Sequence, residues 1–365
     1  MDEEKLKLPK FYRIYLMLLV VLVVALIVPA SREKIFDALN IFRNTQMELE
    51  AVSEFPVEEG VSDIGIYGEN IIIWEDNQLL ITDINGNQSK RKNYDFEDGG
   101  IFFGDELFYV MGKSKGEIQL VNKEGEIQEK IQCSPPFEKI DEEDGKVYIY
   151  KKDGDIETVD IVSKEGELLK THEERIPILL FAMGNKDEEY MVSTLDIVDD
   201  LNSLVNIYSL DEEELESYKI EDELAVYGKF IKKELVLVTD KGVYLYKNGD
   251  EKWSKDIKNL KDVKVVGKEI HILYDSKFQT INRRGKVKEE VELELPLEGI
   301  RIADKGIILF GEKDIVIPGR DENLLEFKSK EGIMDLKYNN GKLLLQMEDK
   351  IETYNIIEKG EGKNE

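Results

Sequence analysis

Apolar and polar positions along the chain follow three successive patterns. From Ile14 to Val28 the sequence reads IYLMLLVVLVVALIV, fifteen residues without a charge, twelve of them Ile, Leu or Val. On an insertion scale those twelve favour a bilayer by about 4–7 kcal/mol. With Phe11, Tyr12, Pro29 and Ala30 added, and Arg13 snorkelling to the interface, the stretch reaches about 20 residues, the length of a membrane-spanning helix. A secretory signal cleaved near Ala30 is the competing reading, because Val28-Pro29-Ala30 resembles a small-residue cleavage site. Residues 31–53 then change character: Ile35, Leu39, Phe42 and Leu49 recur near helical spacing among charges, which predicts a short amphipathic juxtamembrane helix, terminated by Pro56.

Beyond residue 54 one phrase repeats: an apolar run, a polar turn, a second apolar run, a glycine turn, and a charged, weakly apolar run. The leading runs are Ile71–Trp74, Leu107–Val110, Val147–Tyr150, Leu235–Val238, Ile270–Leu273, Ile307–Phe310 and Leu343–Leu345, whose starts are 36, 40, 88, 35, 37 and 36 residues apart. The interval of 88 holds two periods, with Tyr190–Ser193 as the equivalent run inside it. Partner runs follow at Leu79–Ile84, Ile118–Val121, Val159–Val162, Val243–Tyr246 and Ile351–Tyr354, and glycine turns at Gly86, Gly125, Gly166, Gly249 and Gly285. Runs this short and rich in Ile, Val, Leu, Tyr and Phe are strands, and glycine supplies the positive φ of tight hairpins. A meander of this length cannot bury both its faces alone. Stacked repeats of four strands predict an all-β fold, a β-propeller.

Units begin near Asp63, Gly99, Phe137, Pro177, Leu224, Asp262, Ile300 and Met334. That makes eight blades. Seven is the alternative count, and two stacked β domains divided within residues 188–223 the alternative architecture. The last unit shows three strands before the charged tail, so the segment around Glu54–Val57 is expected to supply its fourth. The expected organisation is a cytoplasmic tail (1–13), a transmembrane helix (14–30), a helical linker (31–53), the propeller (54–357) and a disordered tail (358–365).

Charge decides orientation and narrows the partners. The chain carries 50 Lys and Arg against 78 Asp and Glu, a formal charge of −28. Lys5, Lys7, Lys10 and Arg13 flank the apolar segment on its N-terminal side, which places residues 1–13 in the cytoplasm and the bulk of the chain outside it. Residues from 35 onward hold 44 cationic against 74 acidic side chains. A domain so acidic disfavours nucleic acid and anionic headgroups and favours a protein or peptide partner with a basic surface. The single cysteine, Cys133, forms no internal disulfide, which suits a bacterial surface better than a disulfide-dense secretory domain.

The phrase VYLYKNGDEKWSKDI, Val243–Ile257, resembles the repeats of quinoprotein-like propellers, in which a hairpin glycine is followed by tryptophan; here these are Gly249 and Trp253. In layout, an anchor followed by a degenerate propeller, the chain resembles uncharacterised membrane-anchored propeller proteins of Gram-positive, clostridial-type bacteria. The resemblance implies fold and location, not activity.

The chemistry-bearing residues assemble no catalytic, cofactor or metal site by sequence. His271 sits in the strand run EIHILY and is expected to be packed; His172, in THEER, is expected to face solvent. Two histidines and one cysteine do not make a His/Cys metal site, and no nucleophile motif accompanies them. The acid-rich segments Asp141–Asp144 and Asp83–Asn87 raise the possibility of calcium; the second departs from the calcium-loop pattern, and both are read as solvated turns. Trp74 is expected in the core. The expectation is therefore a non-enzymatic, extracytoplasmic interaction or sensing scaffold, with a cell-envelope polysaccharide-binding or -cleaving propeller as the alternative.

Overall fold

The computed structural model describes residues 45–359 apart from 58–60, 144, 185–188, 198–200, 212–213, 305 and 320–321. The span expected at 14–30 and most of the helix expected over 31–53 lie outside the described residues. Residues 47–359 build eight four-stranded antiparallel sheets, the blades of a propeller. Their first strands are Val61–Tyr67, Gly99–Phe103, Lys139–Glu143, Ile178–Met183, Ala225–Ile231, Leu260–Val266, Leu297–Ala303 and Asp335–Asn339. Each starts within a few residues of the unit boundary read from the sequence. Within residues 188–223, the candidate domain boundary, the described strands Glu189–Asp196, Asn202–Ser209 and Glu214–Ile220 instead belong to blade four.

First strands of neighbouring blades touch one another, so they are innermost. Near the axis Lys229 of blade five lies 3.3 Å from Glu143 of blade three. The second and third strands are buried on both faces because each blade is packed between two others, which is why they read as continuous apolar runs. Asn70–Glu75, NIIIWE, is buried from Ile71 to its end. Fourth strands are half-exposed: Gln88–Asn93, QSKRKN, alternates and carries the charged part of the repeat. Apolar clusters are shared between blades; Val236, Val238 and Leu245 of blade five pack with Val263, Ile270 and Ile272 of blade six.

Blade eight closes the ring. Its fourth strand is Met47–Pro56, paired antiparallel with Lys350–Glu358, and Ser53 Oγ lies 2.8 Å from Thr353 Oγ1. A closing strand from ahead of the first unit was expected, but it is longer than Glu54–Val57 and corrects the helix expected over 31–53: residues 47–53 are strand. Glu48, Glu50 and Ala51 are exposed while Met47, Leu49 and Phe55 pack inward, so Leu49 belongs to an outer strand; Ile35, Leu39 and Phe42, the other positions of the expected helix, lie outside the described residues.

The disc has two ends. One, here the upper face, carries the loops between blades and the turns between second and third strands. The lower face carries the turns between first and second and between third and fourth strands.

Candidate functional site

Blades three and four differ from the rest. Their second and third strands, Lys146–Asp153, Ile156–Ser163, Glu189–Asp196 and Asn202–Ser209, each have 8 residues, against 6 in Asn70–Glu75 and 5 in Phe108–Gly112. Aligned on their apolar runs, the extra residues lie at the upper end as a ridge and carry the blade-three hairpin two residues per strand, about 7 Å, beyond that of blade five. Leu195 N donates to Pro177 O at 3.1 Å, tying the blade-four hairpin to the loop that leads into the blade. Ile197 is 67% exposed, Leu201 44% and Ile176 38%. Exposed acids surround this apolar crest: Asp155, Glu221, Asp222 and Asp240. Lys241, which pairs with Asp222 at 2.7 Å, offsets part of that charge.

Below the ridge, between blades three and four, a cavity of about 520 Å³ is lined by Lys170, Thr171, His172, Glu173, Glu174, Tyr190 and Tyr208. His172 is buried at its wall, 3.1 Å through Nδ1 from the Tyr190 hydroxyl and 3.1 Å through Nε2 from Glu174 Oε1. A neutral imidazole satisfies both by accepting from the phenol and donating to the carboxylate. The Tyr190 and Tyr208 rings stack at 5.5 Å, and burial raises the Tyr208 phenol above its ordinary pKa. Thr171 Oγ1 donates to Asp160 Oδ1 at 2.8 Å, and Lys151 sits 2.5 Å from Asp160 Oδ2. Both His172 nitrogens are engaged by protein, and the wall they form offers aromatic and hydrogen-bonding surface to the cavity.

The structure corrects two readings made from sequence. His172 is buried, not solvent-facing, because its outer strand is covered by the tyrosines of the next blade. Asp141–Glu143 are not a turn but part of the first strand of blade three. There Glu142 pairs with Lys164 at 2.9 Å and Glu143 with Lys229, so charges from other elements replace the apolar partners a strand would show. The other residues lie as expected. His271 is buried beside Thr280, Nδ1 to Oγ1 at 3.0 Å, and Trp74 is in the core. Asp83 accepts from Asn85 N, Asn87 N and Asn87 Nδ2 within its own turn, which holds its carboxyl below the usual range. The Cys133 thiol is half-buried, donates to Gly116 O at 3.3 Å, and is pushed by burial up to about 11. None of these joins the cavity except His172. The ridge and its tyrosines had one sequence signal, the long interval between Val147 and Leu235.

The sequence profile of DUF5711, described as a family of unknown function, matches residues 43–356. No curated protein matches the chain. Among solved structures, Sqt1 of Saccharomyces cerevisiae is similar with a TM-score of 0.60 at 9% identity, covering 84% of this chain and 99% of that one. BamB of Moraxella catarrhalis is similar with a TM-score of 0.56 at 11% identity, covering 84% and 100%. At such identities the likeness is one of fold.

Proposed function

Because the chain belongs to DUF5711, a family of unknown function, its role is argued from its own residues, and we propose that it is a non-catalytic protein-interaction scaffold: a propeller tethered by residues 14–30, outside the cytoplasm. The observation that carries the reading is the raised crest of Ile176, Ile197 and Leu201 set among exposed acids. An apolar centre with a charged rim is the build of a protein-docking surface, and its charge selects a basic partner. Tethering raises the effective concentration of a membrane-bound partner, so a weak contact suffices.

Location is tested by reporter fusions at Glu365. A reporter active only after export should work there and a cytoplasm-dependent one should be silent; the reverse would remove the tethered, outward reading.

The cavity beside His172 favours a second reading, binding of a cell-envelope glycan, since stacked tyrosines flanked by Glu174 and Lys170 suit a sugar ring. Affinity for glycan fragments that falls on Tyr208→Ala, or turnover of such fragments, would move the assignment to that class.

A further inference from the structure

The overall acidity of the chain conceals a local reversal of charge on the lower face. The turn between the first two strands of blade five holds Lys232 and Lys233, the matching turn of blade six holds Lys268, and the third-to-fourth turn of blade six holds Arg283, Arg284 and Lys286. These turns form one platform. Arg283 N donates to Lys268 O at 3.2 Å, and Trp253 Nε1 of blade five donates to Arg283 O at 3.1 Å. The buried Glu234 holds Arg283 at 3.4 Å and Lys247 at 3.0 Å, which fixes the base while Lys233, Lys268, Arg284 and Lys286 stay exposed. Three exposed aliphatic residues stand at the same end: Val266 and Val287 in blade six and Ile302 in blade seven.

The closing strand Met47–Pro56 also begins at this end. Met47 N donates to Leu324 O at 2.7 Å, in the third-to-fourth loop of blade seven, and Met47 packs in the cluster that includes Ala303, at the lower end of the same blade. Resting on the reading of residues 14–30 as a membrane span, we propose that the lower face of blades five to seven lies on an anionic lipid surface. Lys233, Lys268, Arg284 and Lys286 contact headgroup phosphates there, and Val266 and Ile302 reach the interface. Exposed cations near a negative leaflet are attracted over roughly a Debye length, and guanidinium and ammonium groups both bind phosphate. The disc is thereby held flat, with the acidic upper face and its apolar crest turned away from the membrane. The reversal is local to blades five and six: exposed acids stand at the upper end and also at the lower end of other blades, among them Asp105, Glu106, Glu124 and Glu165.

The test uses the full chain with its one native thiol removed by Cys133→Ser and a new thiol placed by Val266→Cys on the lower face or by Ser276→Cys in an upper-face turn of the same blade. Each is labelled with a fluorophore and reconstituted into vesicles of phosphatidylcholine alone or of equal parts phosphatidylcholine and phosphatidylglycerol, carrying a spin-labelled quencher at headgroup depth. The label at 266 should be quenched in the mixed vesicles, and quenching should be lost in pure phosphatidylcholine, in high salt, and in the folded variant Lys233→Gln/Lys268→Gln/Arg284→Gln/Lys286→Gln. The label at 276 should stay unquenched throughout. Equal quenching at both positions, or quenching at 266 indifferent to phosphatidylglycerol and to the four substitutions, overturns the proposal. Resistance to alkaline extraction reads the membrane span separately: a chain that extracts freely yet shows phosphatidylglycerol-dependent quenching loses the span and keeps the surface.

Discussion

At the scale of single residues, the tryptophan of the repeat Val243–Ile257 acts across a blade boundary. Trp253 does not pack on Gly249 of its own unit. It lies against Gly285 in the next blade, whose φ is +75° and whose position leaves 3.0 Å between an added Cβ and the indole. Corresponding glycines face Phe55 at Gly86, Ile81 at Gly125 and Ile131 at Gly166. The slot is retained while its filling changes, which explains why the glycines repeat in the sequence and the tryptophan does not. Trp253→Ala removes a half-buried ring and a hydrogen bond and should lower unfolding free energy by about 2–3 kcal/mol. Gly285→Ala forces a side chain into the left-handed region and should cost about 1 kcal/mol or more. Urea unfolding with an unchanged slope checks both, and losses below about 0.5 kcal/mol would place the contact with ordinary surface substitutions. A second expectation concerns His271, whose pKa burial depresses below 6.5 against opposing attraction from Glu269, with Lys288 adding to the depression. The folded state therefore resists protonation there. Its contribution falls as pH drops through 6.5 and levels off below the depressed value. His271→Gln should flatten that part of the stability profile; an unaltered slope would assign it to other groups.

At the scale of elements, what the sequence exposed and what it hid follow from position within a blade. Second and third strands are sandwiched, so their apolar runs were legible, and so were the turns, because positive φ demands glycine at Gly86, Gly125, Gly166, Gly249 and Gly285. First strands were less legible. They take polar partners from neighbouring blades, as Asp262 accepts from Ile300 N at 2.8 Å and Arg301 donates to Leu336 O at 2.9 Å, so the strand Lys139–Glu143 read as a turn. The closing strand was legible only as a missing piece. Its pairing with Lys350–Glu358 spans nearly the whole chain and leaves no local mark. Deleting residues 48–60 should abolish the cooperative unfolding transition or lower its midpoint sharply, whereas removing the tail from Lys359 should leave it nearly unchanged. Equal tolerance of both deletions would contradict closure by the N-terminal strand.

At the scale of the whole molecule, the crest and the cavity sit where the repeat is longest, and the exposed cations of blades five and six gather at the opposite end. Neither the ridge nor the basic platform was readable beforehand. The first needed the long interval resolved into a blade with raised hairpins, and the second needed lysines and arginines from separate repeats brought to one end. An acidic upper face around an apolar crest should accelerate encounter with a basic partner in a salt-dependent way, since charges are screened beyond about 8 Å at physiological ionic strength. The most direct measurement places a photoreactive residue at Ile197 on the crest and, for comparison, at Val287 on the lower face, and identifies adducts formed in intact cells. The account predicts one discrete protein crosslinked from Ile197 and not from Val287, with the adduct lost in high salt and in Glu221→Gln/Asp240→Asn. Adducts to glycan alone, or a protein adduct indifferent to salt and to those acids, would contradict it.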